Sequence, residues 1–186
     1  MLISPRRSTG LLLAALLVVL PFVSGCDTTT PSPVFADGGV RSETFSPRFG
    51  QFTVNQPGDV ASYDRSSNLL TAAVVDDGAV LLYARGDLIF VGGGAEGTWT
   101  ALPYTQGIEA EGPDFPFVDF TVTYTYSFDV NRIYIDVISS AIGLVEDYIP
   151  DNIPFRLVTI APGTPRVDGV DYANFAEVAA AYGLAE

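Results

Sequence analysis

Eleven residues near the middle of the chain, VDFTVTYTYSF at 118–128, restrict the fold more than any other stretch. Val118, Phe120, Val122, Tyr124, Tyr126 and Phe128 alternate without a break with Asp119, Thr121, Thr123, Thr125 and Ser127. Successive side chains of a strand point to opposite faces, so a period of two over this length makes one apolar and one hydroxyl-rich face. A helix would scatter the same residues around its circumference. After a polar turn near Asp129–Asn131, the segment RIYIDVIS at 132–139 keeps the alternation through Ile133, Ile135 and Val137. Two such runs across a short turn predict an antiparallel hairpin.

Further strands are expected at Gln51–Asn55, Ala79–Ala84, Leu88–Val91, Thr98–Leu102 and Phe155–Ala161. Asp76-Asp77-Gly78 is a turn signal ahead of the second of these, and Pro162-Gly163 closes the last. SNLLTAAVV at 67–75 fits either a strand or a short helix, and 103–117, with Pro103, Gly107, Gly112, Pro113 and Pro116, reads as a loop. Near the C-terminus Phe175, Val178, Ala179 and Tyr182 recur at spacings of three and four. They predict an amphipathic helix over 172–182, with Asp171 as its N-cap and Gly183 at its stop. The expected class is mainly β: six to eight antiparallel strands in a β-sandwich with one short C-terminal α-helix.

The first residues follow a different logic. Arg6 and Arg7 precede LLLAALLVVLPFV at 11–23, twelve apolar residues and one proline. A bilayer span needs about 20 apolar residues, whereas a run of this length matches a signal-peptide core. Val23-Ser24-Gly25-Cys26 then resembles the lipobox of bacterial lipoproteins, an aliphatic residue and two small residues before a cysteine. That resemblance implies that the thiol of Cys26 takes a diacylglyceryl group as a thioether and that a peptidase cuts before it. The alternatives are an ordinary secretory signal with a coincidental cysteine, and a membrane-spanning anchor. The resemblance divides the chain into a signal peptide at 1–25, a lipidated cysteine and tether at 26–40, and a single β-rich domain at 41–186. DTTTPSPVFADGG at 27–39 has the Thr, Pro, Ser and Gly content of a linker. Two acyl chains suffice for stable anchoring without basic residues. The expected address is the cell envelope, on the outer membrane through the lipid anchor. Asp27 resembles an inner-membrane retention signal of enterobacterial lipoproteins, which keeps that membrane open as the alternative.

Charge and composition exclude whole classes of function. The chain has 22 acidic and nine basic residues, a net charge of −13, no histidine and one cysteine. Loss of a signal carrying Arg6 and Arg7 leaves seven arginines, no lysine and a charge of −15. Such a body repels phosphates, so nucleic acid is not an expected partner, and it stands off anionic headgroups. Acidic excess without lysine fits a salt-rich habitat, and a high-GC genome gives the same arginine bias. Without histidine there is no Ser-His, Cys-His or histidine-zinc chemistry, and one cysteine makes no internal disulfide.

The remaining motifs are weaker. Gly92 to Gly97 satisfies GxGxxG after LIFV, but TWTALP follows instead of a helix, so no cofactor is expected. Arg85-Gly86-Asp87 is an adhesion tripeptide that also makes an ordinary turn between strands. Asp168 with Asp171, Asp76-Asp77, and Glu146-Asp147 with Asp151 read as caps and solvated turns, and no metal is expected. No carboxylate pair is marked out for glycoside hydrolysis. Ser66, Ser67, Ser139 and Ser140 lack a base. No catalytic residue is assigned, and the chain is not expected to be an enzyme. Trp99, Tyr104 and Tyr148, near loops, are the candidate ligand-binding aromatics, while Tyr124 and Tyr126 belong to the core face. Sheet edges offer a second way to take a partner, by strand addition.

Trp99-Thr-Ala-Leu102-Pro103-Tyr104, the alternating hairpin, Phe155-Arg156 with Val158, Pro162-Gly163 and Asp171-Tyr172 together resemble a group of small lipoproteins of Bacteroidetes-type bacteria, over roughly residues 70–175. The resemblance implies the envelope address and a single domain, and carries no catalytic residue over. The expected function is a lipid-anchored envelope protein whose non-enzymatic β-sandwich binds a partner or serves a structural role. The alternative is a carbohydrate- or peptide-binding module accessory to uptake, so the possible partners are an envelope protein or a glycan.

Overall fold

A computed structural model describes residues 34–35, 39–86, 97–112, 115–149 and 152–185, without side-chain detail at 34–35 and 110–118. The expected signal peptide, Cys26, the strand expected at Leu88–Val91 and the GxGxxG run up to Glu96 lie outside the described residues.

The described strands are β1 (Val34–Phe35), β2 (Val40–Phe45), β3 (Thr53–Val54), β4 (Val60–Ser66), β5 (Ala79–Arg85), β6 (Trp99–Ala101), β7 (Tyr104–Gly112), β8 (Phe115–Asp129), β9 (Arg132–Ser139) and β10 (Phe155–Ile160). Two α-helices accompany them among the described residues, α1 (Ala72–Asp77) and α2 (Phe175–Tyr182). The strands form two five-stranded sheets, in the order β1-β2-β10-β5-β6 and β3-β4-β9-β8-β7. Every neighbouring pair is antiparallel. The protein is therefore mainly β, with two antiparallel sheets and a short C-terminal helix, consistent with a β-sandwich.

The alternating run forms β8 and pairs with β9 from Val122↔Ser139 to Asp129↔Arg132. Asn131, at φ 62°, supplies the left-handed residue that the turn needs. Phe120, Val122 and Tyr124 are buried, and Asp119, Thr121 and Ser127 are exposed. The inner core gathers Val122, Tyr124, Ile133, Ile135 and Val137 from one sheet with Leu82, Ala84, Phe155 and Leu157 from the other.

A second core lies on the outer face of the β10 sheet. Val40, Tyr83, Val158 and Ile160 pack there against Phe175, Val178 and Ala179 of α2, and Leu184. β5 and β10 are thus apolar on both faces, which is why AVLLYAR and FRLVTI show almost no polar alternation. Three tyrosine hydroxyls satisfy themselves on backbone carbonyls: Tyr126 donates to Val80 O at 2.9 Å, Tyr124 to Tyr148 O at 2.8 Å and Tyr83 to Tyr172 O at 2.7 Å. An ion pair also links the sheets, Arg65 Nη2 standing 3.6 Å from Glu43 Oε2.

Several expectations are corrected. Ten strands are described, against six to eight expected, because two of them are only two residues long and the polar β2 and β4 carry no clean alternation. The expected loop at 103–117 is largely strand: β7 covers Tyr104–Gly112 and β8 begins at Phe115. Gly107 is harmless there because β7 is an edge strand, and the irregularity at the glycine-proline stretch is a register shift between Ala110 and Gly112. The strand expected at Gln51–Asn55 shrinks to Thr53–Val54. SNLLTAAVV resolves into a turn and then α1, capped by Thr71 Oγ1 on the Val74 N–H at 3.3 Å. Asp76 and Asp77 accordingly end that helix.

The C-terminal helix starts later than expected. Asp171 Oδ1 accepts the N–H of Ala173 at 2.9 Å and so closes a turn of its own. Asn174 is the N-cap, its Oδ1 accepting the N–H of Ala176 at 3.1 Å. Val34 and Phe35, expected in the tether, pair with β2.

Two predictions follow from this packing. Val158→Asn places an amide in the outer core and should cost at least about 3 kcal/mol, whereas Ser127→Asn, on the solvent face of β8, should stay within about 0.5 kcal/mol. Urea unfolding of the two variants measures the difference. Burial also raises the phenols of Tyr83, Tyr124 and Tyr126 above the ordinary tyrosine value. Their contribution is intact below pH ~10 and declines above it, because the unfolded chain then releases phenolic protons that the folded chain retains. Each such group steepens the loss by up to about 1.4 kcal/mol per pH unit. Tyr124→Phe should therefore flatten the fall of the urea midpoint between pH 10 and 12.

Candidate functional site

The outer cover of the β10 sheet stops short of one end of β5 and β10, and a cleft of about 620 Å³ opens there. Strand pairing brings its walls together. Arg85, the last residue of β5, pairs directly with Trp99, the first of β6. Arg156 lies one strand further over, paired with Tyr83 on one side and Thr44 on the other. All of these side chains belong to the outer face, since Phe155 and Leu157, flanking Arg156, point into the inner core.

The aromatic rings position the guanidiniums. Arg156 Cζ lies 5.3 Å from the centroid of the Trp99 ring and 4.7 Å from that of Phe175. Arg85 Cζ lies 5.8 Å from the Trp99 ring. Trp99 and Phe175 are in turn 5.7 Å apart at an interplanar angle of 57°. Arg156 Nε donates to Thr44 Oγ1 at 3.1 Å and Nη1 donates to Ala185 O at 2.6 Å. These two acceptors are neutral oxygens, and together they hold the plane of the group. Ser46, Thr98 and Asn174 add neutral polar groups to the lining. Among the described lining residues both charged side chains are arginines.

Two other clefts differ in sign. One, of about 330 Å³, is lined by Asp77 and Arg166, one charge of each sign, and by Tyr172, whose hydroxyl shares a 2.7 Å hydrogen bond with that of Tyr182. The other, of about 320 Å³ on the hydroxyl-rich sheet face, carries Glu109 and Asp119. Among the described residues no group of three or more acidic or cysteine side chains is placed to hold a metal ion.

The three candidate aromatics are not brought together. Trp99 is half-buried in the outer cluster with α2. Tyr104 and Tyr148 are half-buried against the inner core, Tyr148 standing edge-on to Phe120 at 5.3 Å. Tyr124 and Tyr126 pack in that inner core as expected. Asp87, the third member of the adhesion tripeptide, lies outside the described residues. Sequence reasoning missed Arg156, Asn174 and Phe175 as cleft residues and read Arg85 only as part of a tripeptide. The available signal was Arg156 itself, a lone cation inside an apolar strand.

No protein-family model, curated protein or solved structure matches this chain, so its functional reading rests on its own residues.

The cleft geometry predicts that Arg156→Ala costs about 2 kcal/mol, through lost cation–π contact and two lost hydrogen bonds. Arg156→Lys should recover only part of this, because an ammonium cannot reach both acceptors in one plane. Trp99 is the chain's only tryptophan. Its emission during urea unfolding reports both variants.

Proposed function

We propose that this is a lipid-anchored protein of the bacterial envelope whose β-sandwich is a non-enzymatic binding module, with the Trp99 cleft as its site. The observation that carries the reading is the convergence of two arginines, an indole and neutral hydroxyls on one concave surface. The absence of histidine from the sequence favours binding over catalysis. Val23-Ser24-Gly25-Cys26 supports the anchor, and no helix among the described residues is long and apolar enough to cross a membrane.

The anchor sets the working position of the domain. From Cys26 to the start of β1 at Val34 the chain spans at most about 28 Å, at full extension. The domain then works near the bilayer, held by two or more acyl chains rather than by charge. A module so placed suits capture of a glycan, a peptide or an envelope protein at the membrane surface. The aromatic lining favours the glycan or peptide.

Cells grown with labelled palmitate should incorporate it into this protein, and Cys26→Ser should abolish the incorporation. Label retained by the variant would overturn the anchor. A glycan and peptide array probed with the wild type and with Trp99→Ala tests the site, with saturable binding lost in the variant as the expected result.

A further inference from the structure

We infer that the cleft where α1 ends against β10 is a second binding site, for a small zwitterion of the α-amino acid type with an aliphatic side chain. Asp77 takes the ammonium group of the ligand and Arg166 its carboxylate, while Leu81, Ile160 and Pro162 receive its side chain. The site shares no lining residue with the Trp99 cleft, which lies at the other end of β5.

Strand register puts the two charges on one cleft. Ala79, the first residue of β5, pairs with Ile160, the last of β10. Asp77 closes α1 just before Ala79, and Arg166 follows Ile160 after the Pro162-Gly163 turn. Gly78 makes this approach possible, because a Cβ there would stand 2.5 Å from Ile160 O and 2.7 Å from Val74 O. The returning chain is held too. The N–H of Thr164 donates to Ala161 O at 3.2 Å, and Pro162 and Pro165 fix their own φ angles on either side. A wall built on such segments loses little entropy when a ligand arrives.

Neither charge is consumed by the fold. Among the described residues no ion pair or side-chain hydrogen bond joins Asp77 or Arg166 to a partner, or to each other. As the last residue of α1, Asp77 gains nothing from the helix, whose C-terminal carbonyls favour a cation. Arg166 lies near Tyr172: the hydrogen bond with Tyr182 raises the Tyr172 phenol above the ordinary tyrosine value, and the guanidinium acts in the opposite direction. A carboxylate and a guanidinium that do not meet, on one cleft of about 330 Å³, fit a ligand carrying both charges close together. That volume is at the small end of ligand sites, which suits an amino acid rather than an oligosaccharide. The net charge of −13 narrows the class further. Its field opposes a free anion and draws any cation without selecting it, whereas a zwitterion is neutral to that field and is selected by the local pair.

Calorimetric titration of the full-length, detergent-solubilised protein with L-leucine tests the site. The controls are 3-methylbutylamine, which is leucine without its carboxylate, and 4-methylpentanoate, which is leucine without its amino group. Saturable binding of leucine is expected, with each control at least about tenfold weaker. Asp77→Asn and Arg166→Gln, both at exposed positions, should each weaken leucine binding by about tenfold. No saturable heat with leucine would overturn the inference. So would a control that binds as tightly as leucine, or leucine binding unchanged in either charge variant, which places the ligand elsewhere. The comparison of leucine with its two truncated forms needs no variant, so it decides the matter even if Arg166→Gln does not fold. None of these results bears on the array test of the Trp99 cleft, and the two readings fail separately.

Discussion

The strands β5 and β10 are covered on both faces over most of their length, and their sequences must satisfy two cores at once. Leu82, Ala84, Phe155 and Leu157 serve the inner one, while Tyr83, Val158 and Ile160 serve the outer one. Full burial of a side chain of this size contributes about 1.5–3 kcal/mol, so the outer cluster is no minor addition to the sandwich. It gives α2 its place, because a helix of eight residues is too short to be stable alone and depends on the apolar face beneath it. It also decides where charge is tolerated. Arg85 and Arg156 stand where the cover ends.

The tyrosines connect these layers without leaving buried hydroxyls unpaired. Tyr126 reaches from β8 to a carbonyl of β5, and Tyr124 reaches the carbonyl of Tyr148 in the turn after β9. Tyr83 points the other way, from β5 to the carbonyl of Tyr172 just before α2. Two of the three acceptors lie in irregular segments, whose carbonyls lack a ladder partner. Each phenol therefore adds apolar area to a core and fixes a connecting segment at the same time. The same burial raises these three phenols above the ordinary tyrosine value.

How legible the sequence was depended on whether one face of an element met water. β8 and β9 were readable because Thr121 and Ser127 stay exposed while Val122 and Ile133 do not. β2 and β4 were not, because Glu43 and Arg65 occupy inward-facing positions as an ion pair and Ser42 is buried on the outer face, so polarity no longer marks direction. β7 was hidden by glycine and proline, residues that an edge strand accommodates. The start of α2 turned on a competition between two good caps, Asp171 and Asn174, which differ only in which N–H each side chain meets. The cleft was the least legible feature. Residues 85, 99 and 156 become neighbours only through the register of β6, β5 and β10, which no local pattern encodes.

A simpler account of the two arginines is that they merely terminate the outer core. Arginine does this well, since its methylenes cover apolar surface while its head stays solvated. One arginine on β10 would suffice for that, with its guanidinium over Phe175 and its donors on Thr44 and Ala185. Arg85 adds a second cation to the same indole from the adjacent strand. Departures from local consistency of this kind are expected where a surface does something besides folding. The gathering of Arg85, Arg156 and Trp99 in one cleft is such a departure, and it is the feature on which the proposed binding site rests.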